Sequence, residues 1–208
     1  HPFGHGAVNI CSHKTYVDMS EENIIRDMKA FGTSRICGSA LVRRSDLGEG
    51  ATELDAIKAS NKAAFEIAGD LGGYYVPGIM VHPAFVEESK AEIDFYYEKG
   101  CRLIGELVPY MQGWGDYSCD GFSKLIDYAT EKGMLISIHS MGDDAMDKMV
   151  ERHPDAKIIF AHPGEFNEFS RHMKRLRMSE NCYLDLSGTG IFRHGMLRHA
   201  VDEAGLSK

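Results

Sequence analysis

Residues 133–164 read GMLISIHSMGDDAMDKMVERHPDAKIIFAHPG, and this stretch leaves the chain few architectures to choose from. Two short apolar runs, 134–138 and 158–161, each end on a histidine, His139 and His162. Between them, over 143–152, Ala145, Met146, Met149 and Val150 recur at the spacing of one helical face. Continuously apolar runs separated by an amphipathic helix predict a βαβ unit whose strands lie in a buried parallel sheet. Both histidines then sit just past the carboxyl ends of strands, where α/β folds assemble their sites. A single strand-end histidine is commonly structural. Two of them one βα repeat apart can converge on one ion or one substrate.

The same rhythm runs through the rest of the chain. After a loop through Tyr16, Ser20 is placed to cap a helix in which Ile24, Ile25, Met28 and Phe31 form the apolar face, and Gly32 closes it. The run ICGSALV predicts a strand, RRSDLGEG a polar loop, and 52–68 a long helix. YYVPGIMV predicts the next strand and exits at His82. A helix over 87–99 stops at Gly100, and CRLIGELV exits at Pro109. The loop YMQGWGDYSCDG is long and aromatic, the kind of segment that covers a site. Helices over 122–132, 166–178 and 196–204 complete the pattern, with strand CYLDLSG before the last. No reversal into hairpins is expected. Alternating βα units favour a (β/α)8 TIM-type barrel or an open doubly wound sheet. No glycine-rich phosphate fingerprint follows an early strand, which favours the barrel. Six strands are counted, ending near Val42, His82, Glu106, His139, His162 and Ser187. The expectation is one barrel domain over 1–208, incomplete at both ends, with the first and last strands outside these residues.

Charge and cysteine usage narrow the partners. The net charge of −8 argues against broad nucleic-acid or acidic-membrane binding. No apolar run approaches the roughly 20 residues of a membrane span, and nothing at the start reads as a signal peptide. The 5 cysteines form no CxxC, so reduced, mostly buried thiols and a cytoplasmic location are expected. A small-molecule substrate is the expected partner, with no nucleic acid and no membrane; a homo-oligomer stays open.

Four segments carry a family resemblance: HPFGHG at the start, RLIGELVPY, LISIHSMG, and PDAKIIFAHPGE running on to NCYLDLSG. In them the sequence resembles the metal-dependent amidohydrolase superfamily, specifically the amidohydrolase 2 branch that includes related decarboxylases. The resemblance covers nearly the whole chain. It implies a (β/α)8 barrel with an HxH after the first strand, histidines after strands five and six, and an aspartate after strand eight. His139 matches the strand-five histidine, His162 the strand-six histidine, and His1 the second histidine of the HxH. The strand-eight aspartate, the implied proton acceptor, has no counterpart in these residues. His139 and His162 are therefore the expected catalytic residues.

The chemistry of the residues points the same way. Neutral imidazole is the commonest ligand of zinc and similar ions, which activate water and polarise carbonyls. The expected cofactor is a divalent metal, zinc first and manganese as the alternative, as one or two ions. Candidate ligands are His1, Glu106, His139 and His162. Glu106 stands in an otherwise apolar strand, where a carboxylate is costly unless paired or metal-bound; a strand-end hydrogen bond is the competing reading. Arg193, Tyr110 and Trp114 are candidate substrate contacts, against a solvated loop arginine and simple loop packing. His82 is expected to position a loop and Asp185 to be structural, while His5 is an alternative ligand and His153 and His199 read as surface residues. The leading expectation is a metal-dependent hydrolase of a small amide, ester or lactone. The alternatives are a nonoxidative decarboxylase, a TatD-like metal-dependent nuclease, or an inactive barrel acting as a binding module.

Overall fold

The computed structural model describes residues 7–9, 16–18, 20–188, 190 and 193–208. Strands β1 (Ala7–Asn9) and β2 (Tyr16–Asp18) pair antiparallel, Ala7 opposite Asp18. This corrects the expectation of a plain loop and no reversal: strands of three residues are too short for an alternation to show in the sequence. Helix α1 (Glu21–Ala30) begins where Ser20 accepts from the Asn23 backbone N–H, and Ile24, Ile25 and Met28 are half-buried. Phe31, expected on that apolar face, is instead exposed at the C-cap.

Consecutive βα units follow: β3 (Ile36–Gly38), α2 (Glu53–Asp70), β4 (Tyr75–Pro77), α3 (Val86–Glu98) and β5 (Leu103–Leu107). The chain continues through the one-turn α4 (Pro109–Gln112), α5 (Asp120–Glu131), β6 (Leu135–His139), α6 (Asp143–Arg152) and β7 (Lys157–Ala161). It closes with α7 (Phe166–Met178), β8 (Cys182–Asp185) and α8 (Met196–Ala204). Thr52 and Asp55 form a reciprocal capping box at the start of α2, satisfying two backbone donors that the first turn leaves over.

Strands β3 and β4 pair parallel, as do β5, β6, β7 and β8 in chain order. The two groups are stitched at Ile79, whose N–H donates to Leu103 O (3.0 Å) and whose carbonyl accepts from Gly105 N–H (2.7 Å). Six parallel strands therefore run in chain order with helices between them, the connectivity of a (β/α)8 barrel. β3 and β8 are shorter than the apolar runs in the sequence, because only 36–38 and 182–185 find ladder partners.

Alternation along β6 and β7 sorts the layers. Ile136, Ile138, Ile158 and Phe160 are buried against the helices with Leu125, Ile126, Met146, Met149, Met173 and Leu176. Each such side chain contributes about 1.5–3 kcal/mol by leaving water. Leu135, Ser137, His139 and Ile159 take the other face and stay half-buried. Of the four described cysteines, Cys101 and Cys182 are buried, but Cys37 is exposed, against the expectation of mostly buried thiols.

A charged cluster ties α6 to α7. Arg175 is fully buried, with Nε donating to Asp147 (2.6 Å) and Nη2 to the side chain (2.6 Å) and backbone oxygen (3.0 Å) of Asp143. Arg171 adds bonds to Asp144 (2.8 Å) and to Asp147. His172, also fully buried, accepts at Nδ1 from Arg175 (3.2 Å). Burial and the adjacent guanidinium push its pKa down to about 3, so the ring is neutral. His153, expected at the surface, is buried between α5 and α6, 2.7 Å from Ser123 Oγ and 2.8 Å from Asp127 Oδ1. That trio has the atom pairing of a hydrolytic triad. Asp127 is largely exposed and Ser123 does not line the neighbouring cleft, so the trio acts as a helix tie.

Candidate metal centre

Strict alternation would not bring Glu106, His139 and His162 together. His139 lies on the inner face of β6, paired in register with Ala161 of β7. Counting from Leu103, opposite Leu135, would turn Glu106 outward toward the helices. The register shifts between Ile104 and Leu107, so that Leu107 pairs with outward-facing Ile138 and Glu106 turns inward. A bulge of this kind flips every side chain beyond it. Only glycine fits at its centre: Gly105 has φ +95°, and a Cβ there would lie 2.1 Å from Ser137 O.

His162 is re-aimed by a second device. It is the first residue past β7, and it has φ 74°, the left-handed region a non-glycine residue seldom occupies. Strain of this kind costs about 1–3 kcal/mol and concentrates at functional sites. Here it swings the ring back inward. His162 Nε2 lies 3.5 Å from Glu106 Oε1, His139 Nδ1 lies 2.9 Å from the same oxygen, and the two rings are 5.0 Å apart. One ligand atom from each of the three residues falls within 4.8 Å of the others, and no other group of three such residues does so among the described ones.

The donor set suits a divalent cation. It holds one carboxylate and two imidazoles, with no lysine or arginine bonded to Glu106 among the described residues. Burial alone would raise the Glu106 pKa, but the His139 hydrogen bond and the fields of His162 and His139 hold it below the usual carboxylate range. His162 Nδ1 is 3.1 Å from the Ser187 carbonyl oxygen, which can only accept. A proton on Nδ1 would satisfy that oxygen and leave Nε2 a lone pair, the arrangement that orients a histidine ligand. The His139 backbone is held by Tyr117, whose buried hydroxyl donates to His139 O (2.7 Å) and lies 3.2 Å from Leu107 O. Neither Ser187 nor Tyr117 is marked in the sequence by more than its nearness to a strand end.

Glu106 lines a cleft of about 280 Å³ together with Ile36, Leu103, Ser137, Ile159 and Asp185, among others. The exposed Tyr110 ring stands 5.7 Å from His139, edge to face. Trp114 is not on the cleft. Its indole packs against Tyr117, Phe122 and His82, so the loop-packing reading is the one this placement favours. Arg193 is already engaged, donating to Gly164 O (2.5 Å) and Glu165 Oε2 (2.8 Å). His82 is buried and stitches that loop down: Nε2 donates to Gln112 O (3.0 Å), while Nδ1 accepts from Ala84 N–H (3.1 Å). Burial first of all pushes its pKa down. His199 is on the surface, as expected. His1 and His5 lie outside the described residues.

No curated protein matches the sequence. Among solved structures, an uncharacterised TIM-barrel protein from Bordetella bronchiseptica is similar, with TM-score 0.59 and 18% identity over 80% of this chain. This chain spans 59% of that protein's length. A 2,6-dihydroxybenzoate decarboxylase from Rhizobium overlays with TM-score 0.63 and 13% identity, over 89% of this chain and 74% of the other. A putative 2-pyrone-4,6-dicarboxylic acid hydrolase from Pseudomonas putida gives TM-score 0.56 and 17% identity, over 92% and 70%. At these identities the likeness establishes the barrel fold that the strand order spells out. Residues 34–204 match the family model described as Amidohydrolase, and the chain belongs to that family.

Proposed function

We propose that Glu106, His139 and His162 hold a divalent cation, zinc first among the candidates, and that the chain is a metal-dependent hydrolase of small neutral carbonyl compounds such as amides, esters or lactones. The observation that carries the reading is the convergence of one carboxylate and two imidazoles within 4.8 Å, achieved by two local departures from regular strand geometry. When bound, such an ion polarises a carbonyl and lowers the pKa of water.

The chain's own residues do the rest. Glu106 supplies the negative charge that balances the cation, and His162, with its proton held on Nδ1, offers Nε2 toward it. Tyr110 flanks the His139 ring, beside the ion such a group would hold. Leu103, Ile36 and Ile159 give the cleft an apolar wall that excludes water from one side. Arg193, bonded to Glu165, would have to leave that partner to take a substrate carboxylate.

This last point bears on the decarboxylase reading. The described residues lining the cleft include Glu106 and Asp185 and no lysine or arginine. Among the described residues, an anionic substrate would find no positive partner there besides the bound ion, whereas a neutral carbonyl meets no such repulsion. The test is elemental analysis of the wild type and of His139→Ala, followed by assays on amides, esters, lactones and aryl carboxylates before and after chelation. Strongly reduced metal content in the variant, with chelator-sensitive hydrolysis in the wild type, is expected. Full occupancy in His139→Ala would remove His139 from the ligand set. Carbon dioxide release without hydrolysis would make the protein a decarboxylase.

A further inference from the structure

β7 and β8 end side by side, Ala161 paired with Asp185, so the loops leaving them run together. His162 is the next residue of one loop, and Leu186, Ser187 and Gly188 form the other. Three features of that second loop bear on the His162 ring. The Ser187 carbonyl oxygen lies 3.1 Å from Nδ1, with the Ser187 hydroxyl at 3.2 Å. The Ser187 N–H donates back to Asp185 Oδ1 at 2.6 Å, which fixes the turn that points the carbonyl at the ring. Gly188 lies beneath the ring: a Cβ there would come within 2.4 Å of Nδ1, 2.9 Å of Cε1 and 3.0 Å of Cγ. Gly188 also has φ +66°, so any other residue meets strain as well as the clash.

From these contacts we infer that Asp185, Ser187 and Gly188 are positioning residues, a seat that holds the His162 ring with its proton on Nδ1 and its Nε2 turned into the site. This rests on the reading of Glu106, His139 and His162 as a cation site, but the seat itself is a property of the metal-free chain. Asp185 acts at one remove, through the Ser187 backbone. Gly188 acts by having no side chain.

The seat is tested by long-range nitrogen–proton spectra of the metal-free protein labelled in histidine, recorded in alkaline buffer where imidazole is neutral. The His162→Gln spectrum assigns the ring. Zinc affinity is measured in parallel by competition with a chromogenic chelator. In the wild type, His162 is expected to carry its proton on Nδ1. Gly188→Ala is expected to abolish that signature and to weaken zinc binding by tenfold to a hundredfold, about what loss of an outer partner costs a metal site. Asp185→Ala is expected to weaken both by less. Asp185→Asn is expected to restore them, because its amide oxygen also accepts from Ser187 N–H. Should Gly188→Ala not fold, the two Asp185 variants decide the matter. A proton on Nε2 in the wild type overturns the seat, and so does an unchanged signature with unchanged affinity in Asp185→Ala. Failure of Asp185→Asn to restore them overturns the part given to Asp185. A wild type that shows the Nδ1 signature but takes up no zinc leaves the seat standing and sinks the cation reading instead.

Discussion

Two groups of ionisable side chains lie within the three βα units from β5 to α7, and they are built on opposite principles. Between α6 and α7, Arg175 and Arg171 face Asp143, Asp144 and Asp147, so that each buried charge has an opposite charge and hydrogen bonds within the chain. At the inner strand ends, Glu106, His139 and His162 offer a carboxylate and imidazole lone pairs with no lysine or arginine among them. The first group is complete. The second is the group proposed above to hold a cation. Buried charge by itself is therefore a poor marker of function; a carboxylate and imidazoles converging with no lysine or arginine in the group are a better one. The helix cluster also supports the strand-end group at a distance, since Arg175 holds Asp143, four residues past His139, at the start of α6.

The contrast can be broken most strongly at Arg175. Arg175→Met keeps the volume but leaves Asp143 and part of Asp147 without a partner in a buried place, which is expected to cost about 3–5 kcal/mol. Denaturant titration of the metal-free protein reads this directly; a loss below about 1 kcal/mol would mean that the network is decorative. The strand-end group should answer in the other currency. Glu106→Gln keeps the shape and removes the charge, so zinc affinity is expected to fall about a hundredfold, or about 2.7 kcal/mol, while the unfolding midpoint without metal barely moves. If Glu106 bridges two ions, wild type takes up two per chain and Glu106→Gln fewer; identical stoichiometry would rule out the bridge.

His172 sharpens the comparison through pH. Its pKa is depressed from 6.5 to about 3 in the folded protein, so between those values the unfolded chain binds a proton that the folded chain does not. Its contribution is fully present above 6.5 and is lost as pH falls toward 3, at up to about 1.4 kcal/mol per unit. His172→Gln, which keeps an acceptor for Arg175, is expected to flatten the stability profile across that window. An equally steep acid limb in the variant would assign the loss elsewhere. Asp147 adds to the profile only further down: burial works against ionisation, but Arg171 and Arg175 hold its pKa below the usual value, so its stabilisation fades at pH below about 4. The smallest effect is expected at Tyr117. Removing its hydroxyl in Tyr117→Phe frees the His139 carbonyl and should cost about 1 kcal/mol of stability, with a severalfold loss of zinc affinity. Unchanged affinity would show that β6 needs no such tether.

Much of this molecule is legible in one dimension. The runs ending at His139 and His162 announce strands because only apolar residues tolerate burial on both faces of a parallel sheet. The helices over 143–152, 166–178 and 196–204 fall where periodicity places them. Glu106 stands out as a charge in an apolar run. What periodicity cannot supply is parity. By alternation Glu106 faces the helices and His162 points away from His139; a register shift at Gly105 and a left-handed backbone at His162 reverse both. Nor does periodicity say which charges meet. Nothing in the sequence marks Arg175, and His153 reads as a surface histidine; their partners on α6 and α5 lie in other elements, and both side chains are buried. The sequence by itself determined the order and kind of elements, because those follow from contacts a few residues apart. Only the tertiary structure decided which way Glu106 and His162 face and which charges meet, because those depend on distances between residues that are remote along the chain.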